Sequence, residues 1–344
     1  MGQDIHGKNE VKEFLQPDHV YCGDARELLR RIQPNSIACS IWSPPYFVGK
    51  DYEKYLHSYT AWREMVGEVV RLHYSIIRPG GFIVINIADI LCFADLNMPR
   101  FQAETLNQRR SPVTRDDVLR ARAQHPQLNR DQLAKLLGCS EQTIDRRLNG
   151  NNIRGGKYAT QTRVKLVAGA VERWAKTAGF YVYDRRVWVK DPTWQNSEWH
   201  SSSYRAVDEF EYLYFLWKPG STTVNRRRLS PGEWAKWGSR AVWFMPSVRA
   251  NDDHEAKFPI DLPKRAIRLL TEPGETVLDC FIGSGSTAVA AIQTERHYIG
   301  IDLTPRYVNL ARSACAEAIA AKQKALLDQA ERPVPSIQPM LLDV

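Results

Sequence analysis

Cysteine is scarce in this sequence, and no two cysteines have the spacing of a metal site or of a disulfide framework. The six cysteines lie at positions 22, 39, 92, 139, 280 and 315, and none forms a Cys-x-x-Cys pair. The pattern therefore indicates neither a zinc knuckle nor a disulfide-stabilised domain. We expect a reduced, cytoplasmic protein without a metal centre.

Long hydrophobic runs are also missing. The most apolar stretch, FIVINIADILCF, contains Asn86 and Asp89 and is shorter than the roughly 20 apolar residues that a membrane-spanning helix needs. The N-terminus lacks the basic-then-apolar pattern of a signal peptide, and no internal repeat is visible. The sequence thus predicts no membrane association.

Acidic residues are fewer than basic ones. The chain has 39 Asp and Glu against 47 Lys and Arg, which gives a formal net charge of +8. Such an excess favours a polyanionic partner such as nucleic acid. With 344 residues, of which 43% are hydrophobic, the chain is long enough for one large α/β domain or two smaller ones.

Predicted strands alternate with predicted helices along most of the chain. The stretches SIACSIW and FIVINIA have the composition of buried strands, and the segment between them has the apolar spacing of a helix. Farther on, RVKLVAGAVERWAKTAGF predicts a helix, and YVYDRRVWVK and EYLYFLWK predict two strands. This alternation indicates an α/β fold with a mostly parallel central sheet and helices on both faces.

Residues 96–158 depart from this pattern, because they are polar and rich in arginine. Within them we predict a helix over 131–137, a turn at Gly138, and a second helix that begins at the N-cap residue Ser140 and stops at Gly150. This is the outline of a helix-turn-helix module, and its second helix would present four candidate DNA-binding side chains: Gln142, Thr143, Arg146 and Arg147. A surface helical hairpin without DNA contacts is the alternative.

A glycine-rich loop occurs near the C-terminal end. Residues 276–303 read as a strand that ends at Asp279, a loop with Gly283 and Gly285, a helix, and a second strand that ends at Asp302. Such a carboxylate is where nucleotide-binding α/β folds bind ribose hydroxyls. Because Ala288 replaces the third glycine of the dinucleotide motif, the loop favours a nucleoside cofactor over one with a pyrophosphate. Tight strand-to-helix packing is the alternative explanation for the glycines.

The first predicted strand ends on Ser43-Pro44-Pro45-Tyr46. Two adjacent prolines cannot lie inside a central strand, because each lacks the N–H that the hydrogen-bond ladder needs. Together with DCFIGSGS, this SPPY tip resembles the S-adenosylmethionine-dependent DNA amino-methyltransferases, and its position before the glycine loop is typical of their β group. Four further landmarks of that family occur in the expected order: CGD at 22–24, RPGGFIVIN at 78–86, EYLYFLWK at 211–218 and HEAKFPIDLPKRAI at 254–267.

The resemblance implies a Rossmann-like methyltransferase fold with the helix-turn-helix module inserted into it. The implied organisation is a catalytic half at 1–95 and 159–217, the insert at 96–158, a variable target-recognition stretch at 218–250, an S-adenosylmethionine-binding half at 251–320 and a tail at 321–344. It also implies double-stranded DNA as the partner. A homodimer is compatible with the resemblance, although no dimer interface is visible in the sequence.

Roles for single residues also follow from the resemblance. Asp24 would accept from the adenine amino group of the cofactor, and Asp302 would bind its ribose. The remaining implied cofactor residues surround the methionine half or close over it: Phe258, Pro259, Asp279, Phe281, Gly283, Gly285 and Ser286. Independently of the resemblance, Arg226, Arg227 and Arg228 suit contacts to DNA phosphates better than contacts to bases. Lys50, in the stretch after the tip, is a further candidate for a phosphate contact, and a solvated charged loop is the alternative.

The SPPY tip has a chemical rationale. An exocyclic amino group is a poor nucleophile, because its lone pair is delocalised into the base. The Ser43 hydroxyl and the Pro44 carbonyl would accept hydrogen bonds from that group, and the prolines, Pro45 included, would fix the geometry in advance. Tyr46 would stack on the base after it leaves the duplex.

The identity of the base stays open at this point. Serine at the first position of the tip is commoner among cytosine-N4 enzymes, whereas the longer stretch SPPYFVGKDYEKY resembles adenine-type members, and we expect adenine N6 by a narrow margin. Cytosine C5 methylation is disfavoured, because it needs a Pro-Cys pair and no cysteine here follows a proline. The other hypotheses are a DNA-binding regulator with an inactive methyltransferase fold and an RNA or protein methyltransferase. The enzyme could act within a restriction-modification system or alone.

Overall fold

The computed structural model describes residues 13–46, 58–94, 111–149, 162–191, 209–248 and 258–330. The chain divides into two compact units. The first comprises Met1–Ile90, Leu166–Asp191 and Phe210–Val344, and the second comprises Leu91–Lys165 and Pro192–Glu209. Among the predicted residues, Lys50 and the side chain of Gln142 lie outside the described residues.

An eight-stranded sheet forms the centre of the first unit. Its strands are β1 His19–Cys22, β2 Ile37–Trp42, β3 Ile77–Ile87, β6 Tyr181–Val189, β7 Phe210–Trp217, β8 Val242–Phe244, β9 Thr276–Asp279 and β10 His297–Asp302. They are arranged in the order β1-β10-β9-β2-β3-β7-β6-β8. The five strands from β1 to β3 in this order are parallel, β7 is antiparallel to both β3 and β6, and β8 is parallel to β6. The mostly parallel sheet predicted from the sequence is confirmed.

Helices cover both faces of this sheet. In the described part of the first unit, the α-helices are α1 Ala25–Leu28, α2 Tyr59–Ile76, α6 Ala168–Ala178, α7 Pro231–Glu233, α8 Asp261–Leu270, α9 Ser286–Gln293 and α10 Pro305–Ala330. On β2, Ser40 hydrogen-bonds His73 of α2, whereas its neighbour Ile41 packs in a cluster with Ala266 of α8. Because successive strand residues point to opposite faces, α2 and α8 lie on opposite sides of the sheet. All six residues of β2 are therefore buried.

The second unit contains α3 Arg115–Gln124, α4 Arg130–Leu136 and α5 Glu141–Asn149 in its described part, and a small sheet pairs β4 Ile90–Ala94 with β5 Thr162–Lys165. The helix-turn-helix prediction holds, since Gly138 adopts φ +63° between α4 and α5 and the Ser140 hydroxyl accepts from the Thr143 N–H. Helix α3 was not predicted, because it has only two buried residues, Val118 and Ala121, and shows no apolar stripe.

One sequence expectation about secondary structure was wrong. Residues 163–165 belong to strand β5, whereas the sequence predicts the start of a helix there. The stretch 218–250, for which the sequence predicts target recognition, also contributes β8 to the sheet and buries Trp237 and Trp243 in its core. Large aromatic side chains contribute much stability when they are buried. Trp237 and Trp243 pack in the same buried cluster as Trp188 of β6. No helix in the described residues is long and apolar enough to cross a membrane.

Candidate active site

The two sequence motifs meet at one edge of the sheet. Strands β2 and β9 are parallel neighbours, so their carboxyl ends, and the loops that follow them, lie side by side. The SPPY tip follows β2, the glycine loop follows β9, and the strand that ends at Asp302 lies next to β9. A single pocket results, and its lining includes Ser43, Pro44, Pro45, Tyr46, Asp24, Phe258, Phe281, Gly283, Ser286 and Asp302.

All four predicted residues of the tip line this pocket, together with six of the nine predicted cofactor residues. Pro259, Asp279 and Gly285 are not in the lining. Asp279 is 1% exposed, and its carboxylate accepts from the Thr287 hydroxyl and from the Phe281 N–H. Burial raises its pKa to about 7. Asp279 thus holds the glycine loop in place from below instead of facing a ligand.

Gly285 has a packing role as well. Its φ of +95° is a conformation that favours glycine, and an added Cβ would lie 3.0 Å from the Ala311 Cα of α10. The absent side chain lets the start of α9 approach α10 closely. This geometry supports the packing explanation that the sequence left open, and a role of Gly285 in cofactor binding stays a prediction.

Asp302 faces the pocket at the end of β10. One carboxylate oxygen accepts from the Gly283 N–H at 3.0 Å, and the other accepts from the Thr304 N–H at 2.8 Å. Burial raises the pKa of Asp302, and these two hydrogen bonds oppose the rise. Each oxygen keeps acceptor capacity for a further donor, such as a ribose hydroxyl.

Asp24 is already engaged. It caps α1, and its carboxylate makes a bidentate ion pair with Arg26, with Nη2 at 2.6 Å. The hydrogen bond from Arg26 lowers the pKa of Asp24, which keeps it ionised beside the pocket. Four N–H···O contacts from Arg26 reach the two oxygens, two on each. Because an ionised carboxylate accepts about four hydrogen bonds, a further donor at Asp24 would replace one of those from Arg26.

The SPPY tip is held by three neighbours that sequence reasoning did not identify as site residues. The Trp62 indole of α2 donates to the Pro45 carbonyl at 2.6 Å. The Tyr46 hydroxyl donates to Glu211 Oε2 at 2.9 Å, and Glu211 Oε1 accepts from Lys190 Nζ at 2.7 Å. The sequence signal for the last pair was a charged residue at the end of each of two apolar strands, β6 and β7.

The predicted DNA-binding residues have different environments. In the second unit, Arg147 donates through Nε to the Val113 carbonyl, whereas Arg146 is exposed. In the first unit, Arg228 donates to Glu272 and to the Leu269 carbonyl, and its side chain is 14% exposed. Local acceptors thus hold both guanidinium groups, and the role of Arg147 and Arg228 in DNA binding stays a prediction. Thr143 is half-buried and contacts Ser140, and Arg226 and Arg227 are exposed.

Comparison with known proteins assigns the family. The family model for DNA methylases of the N6/N4 type matches residues 37–313. The type II methyltransferase M.BglI of Bacillus subtilis is 58% identical over 297 residues, which are 86% of this chain and 85% of that protein. M.PvuII of Proteus hauseri is 44% identical over 55 residues, 16% of each chain.

Solved structures agree with the fold. TTHA0409 of Thermus thermophilus, complexed with S-adenosyl-L-methionine, superposes with a TM-score of 0.56 at 22% identity, and the match covers 88% of this chain and 94% of that chain. The PvuII DNA methyltransferase, which is cytosine-N4-specific, gives a TM-score of 0.57 at 15% identity over 92% and 95% of the two chains. The family match over most of the chain and the shared pocket of tip and glycine loop lead to one conclusion: this protein belongs to the N6/N4-type DNA methylases.

Proposed function

We propose that this protein transfers a methyl group from S-adenosyl-L-methionine to the exocyclic amino group of a base that has been flipped out of duplex DNA. The observation that carries the proposal is the single pocket shared by the SPPY tip and the glycine loop. A donor held at the loop and an amino group held at the tip would be neighbours, and proximity of this kind supplies much of the catalysis of a two-substrate reaction.

The residues of the pocket fit this cofactor. Asp302 offers a carboxylate for the ribose hydroxyls, and the rings of Phe258 and Phe281 offer apolar surface. Asp24 would accept from the adenine amino group in exchange for one of its hydrogen bonds from Arg26. The bound cofactor supplies a methyl group on a positively charged sulfur. Arg26, which also lines the pocket, offsets the charge of Asp24, so the carboxylate that suits a cationic ligand is Asp302.

At the tip, acceptors would activate the base. Ser43 and Pro44 are both in the pocket lining, and the Trp62 hydrogen bond to Pro45 fixes the backbone that carries them. Hydrogen bonds from the amino group to the Ser43 hydroxyl and the Pro44 carbonyl would draw the nitrogen toward the tetrahedral geometry that attack requires. Tyr46 would stack on the flipped base and offset part of the cost of unstacking.

Two bases carry a suitable amino group, and separate observations favour each. The longer stretch after the tip favours adenine N6. Ser43 favours cytosine N4, and M.PvuII, which shares 44% identity over 55 residues, has a structure described as cytosine-N4-specific. We place cytosine N4 first on the strength of these two observations, and adenine N6 second.

The DNA would be read by the helix-turn-helix module of the second unit. Helix α5 carries basic residues in its last turn, and Arg146 on it is exposed. In the first unit, Arg226 and Arg227 are exposed cations suited to phosphate contacts. An intact tip and glycine loop count against an inactive regulator, and a helix-turn-helix module counts against an RNA substrate.

The test is sequencing of single DNA molecules from a methylation-free bacterial host that expresses this chain. We expect one short motif to carry N4-methylcytosine, or N6-methyladenine in the second case. S43A should lower the methylation rate by about 100-fold, the usual cost of losing one preorganised hydrogen-bonding group in an active site. S36A is the matched control, because Ser36 is exposed and its hydroxyl donates to the nearby Gln33 carbonyl, away from the pocket lining. Unmethylated DNA from cells that contain folded, cofactor-binding protein would refute the proposal.

A further inference from the structure

A buried ion pair lies behind the SPPY tip, and the mechanism above does not use it. Glu211 at the start of β7 is 8% exposed, and the side chain of Lys190, just beyond β6, is 17% exposed. Their atoms Oε1 and Nζ are 2.7 Å apart. The second oxygen of Glu211 accepts from the Tyr46 hydroxyl at 2.9 Å, which connects the pair to the pocket.

Lys190, Glu211, Tyr46 and Ser43 form a series of hydrogen bonds, and the chemistry of these groups sets which one donates at each step. Lys190 has only donors, and an ionised Glu211 has only acceptors, so Tyr46 must give its proton to Glu211. The Tyr46 oxygen is then left to accept, and the donor that points at it from the tip is the Ser43 hydroxyl, with the two oxygens 3.5 Å apart.

The direction of these hydrogen bonds matters because a serine hydroxyl can either donate or accept, and it rotates to suit its neighbours. An ionised carboxylate, in contrast, only accepts. A serine that keeps its proton toward Tyr46 presents its lone pairs to the pocket. An amino group of a base in that pocket has N–H bonds to donate and would meet an acceptor in place of a second proton.

We propose that Glu211, held by Lys190, is a positioning residue that acts through Tyr46 to make the Ser43 hydroxyl a hydrogen-bond acceptor for the target amino group. The inference rests on the proposed function of the tip. It assigns to a serine-type tip a supporting acidic residue on another strand, and it gives the Tyr46 hydroxyl a task beyond the stacking that its ring performs.

The substitution E211Q tests the direction of the chain. Lys190 can only donate, so it would bind the amide oxygen of the new side chain, and the amide NH₂ would face Tyr46. Tyr46 would then accept from the amide and turn its own proton toward Ser43, which reverses the chain. The substitution Y46F removes the link altogether but keeps an aromatic ring for stacking, and leaves Ser43 free to rotate.

Single-turnover methyl transfer to duplex DNA would be measured with radiolabelled S-adenosyl-L-methionine, alongside the dissociation constants for cofactor and DNA and the melting temperature. We expect E211Q to be about 100-fold slower than wild type, as for a misaligned preorganised polar group, and Y46F about tenfold slower, as for one neutral hydrogen bond. The double variant E211Q/Y46F should match Y46F alone, because without the Tyr46 hydroxyl the reversal cannot reach Ser43. Both dissociation constants should stay near the wild-type values.

E209Q is the matched control, since Glu209 is exposed and two residues away, and it should retain the wild-type rate. A double variant whose loss is the product of the two single losses would overturn the inference, because Glu211 would then act independently of Tyr46. A wild-type rate for Y46F would also overturn it, and this arm holds even where E211Q folds poorly. A wild-type protein that methylates no DNA would instead count against the proposed function itself.

Discussion

The buried histidine of α2 should make the stability of this protein depend on pH. His73 is fully buried, and its Nδ1–H donates to the Val69 carbonyl at 2.7 Å. Because a carbonyl can only accept, Nδ1 carries the proton, and Nε2 accepts from the Ser40 hydroxyl at 2.9 Å. This bond joins α2 to the central strand β2. Burial lowers the pKa of His73 from the ordinary value of 6.5 to about 4.

The sign follows from proton binding. As the pH falls below 6.5, the unfolded chain takes up a proton at this position and the folded chain does not, so stability is lost between pH 6.5 and 4. At pH 5 the loss is about 2 kcal/mol, and below pH 4 it approaches about 3 kcal/mol, since each unit of pKa difference corresponds to about 1.4 kcal/mol.

Urea unfolding at a series of pH values measures this effect through the variant H73Q. The variant should be less stable than wild type at pH 7.5, because it loses a buried side chain that fits its site. The difference should shrink by about 2 kcal/mol at pH 5, where wild type has lost the contribution and the glutamine has nothing to titrate. H19Q is the control for the substitution itself, because His19 is exposed and its replacement should change the stability at pH 7.5 by less than about 0.5 kcal/mol. Parallel stability curves for wild type and H73Q would refute the reasoning.

Two other positions give predictions about stability, both measured by urea unfolding. G285A should destabilise the fold by about 1–3 kcal/mol, because it places a side chain at φ +95° and against Ala311. The control G169A, at an open position in a helix, should be neutral or slightly stabilising. Equal effects of the two substitutions would contradict the packing role of Gly285. K218M should lower the free energy of unfolding by at least about 2 kcal/mol. Lys218 Nζ donates to Asn35 Oδ1 and to the carbonyls of Tyr74 and Ile77, and the substitution leaves these buried or partly buried acceptors unpaired. The exposed K236M should change stability by less than about 0.5 kcal/mol, and a similar loss in both lysine variants would count against this explanation.

Much of the fold followed from local pattern. Strand β2, the glycine loop, α9 and β10 are encoded by contiguous residues whose periodicity and turn glycines agree with one another, and the structure forms each of them. The turn of the helix-turn-helix module could also be predicted from local sequence, since Gly138 is typical of a turn and Ser140 of a helix N-cap. Helix α3 of the same unit gave no such signal, because a helix with two buried residues is stabilised mainly by packing against its neighbours.

The candidate site divides in the same way. Ser43, Tyr46 and Asp302 could be identified because short motifs and their order along the chain carry the family resemblance. Glu211 and Lys190 could not, because what matters about them is that strands β6 and β7 pair and bring them behind the tip.

The sequence by itself determined the family, the parallel sheet and the residues of the two motifs, since these depend on spacing along the chain. Only the tertiary structure decided which of those residues face the pocket. Asp279 accepts a hydrogen bond from the Thr287 hydroxyl, and Arg228 donates one to Glu272. In each case the partner belongs to another segment of the chain. Hydrogen-bond partners of buried polar groups are a property of the assembled fold, and no local pattern contains them.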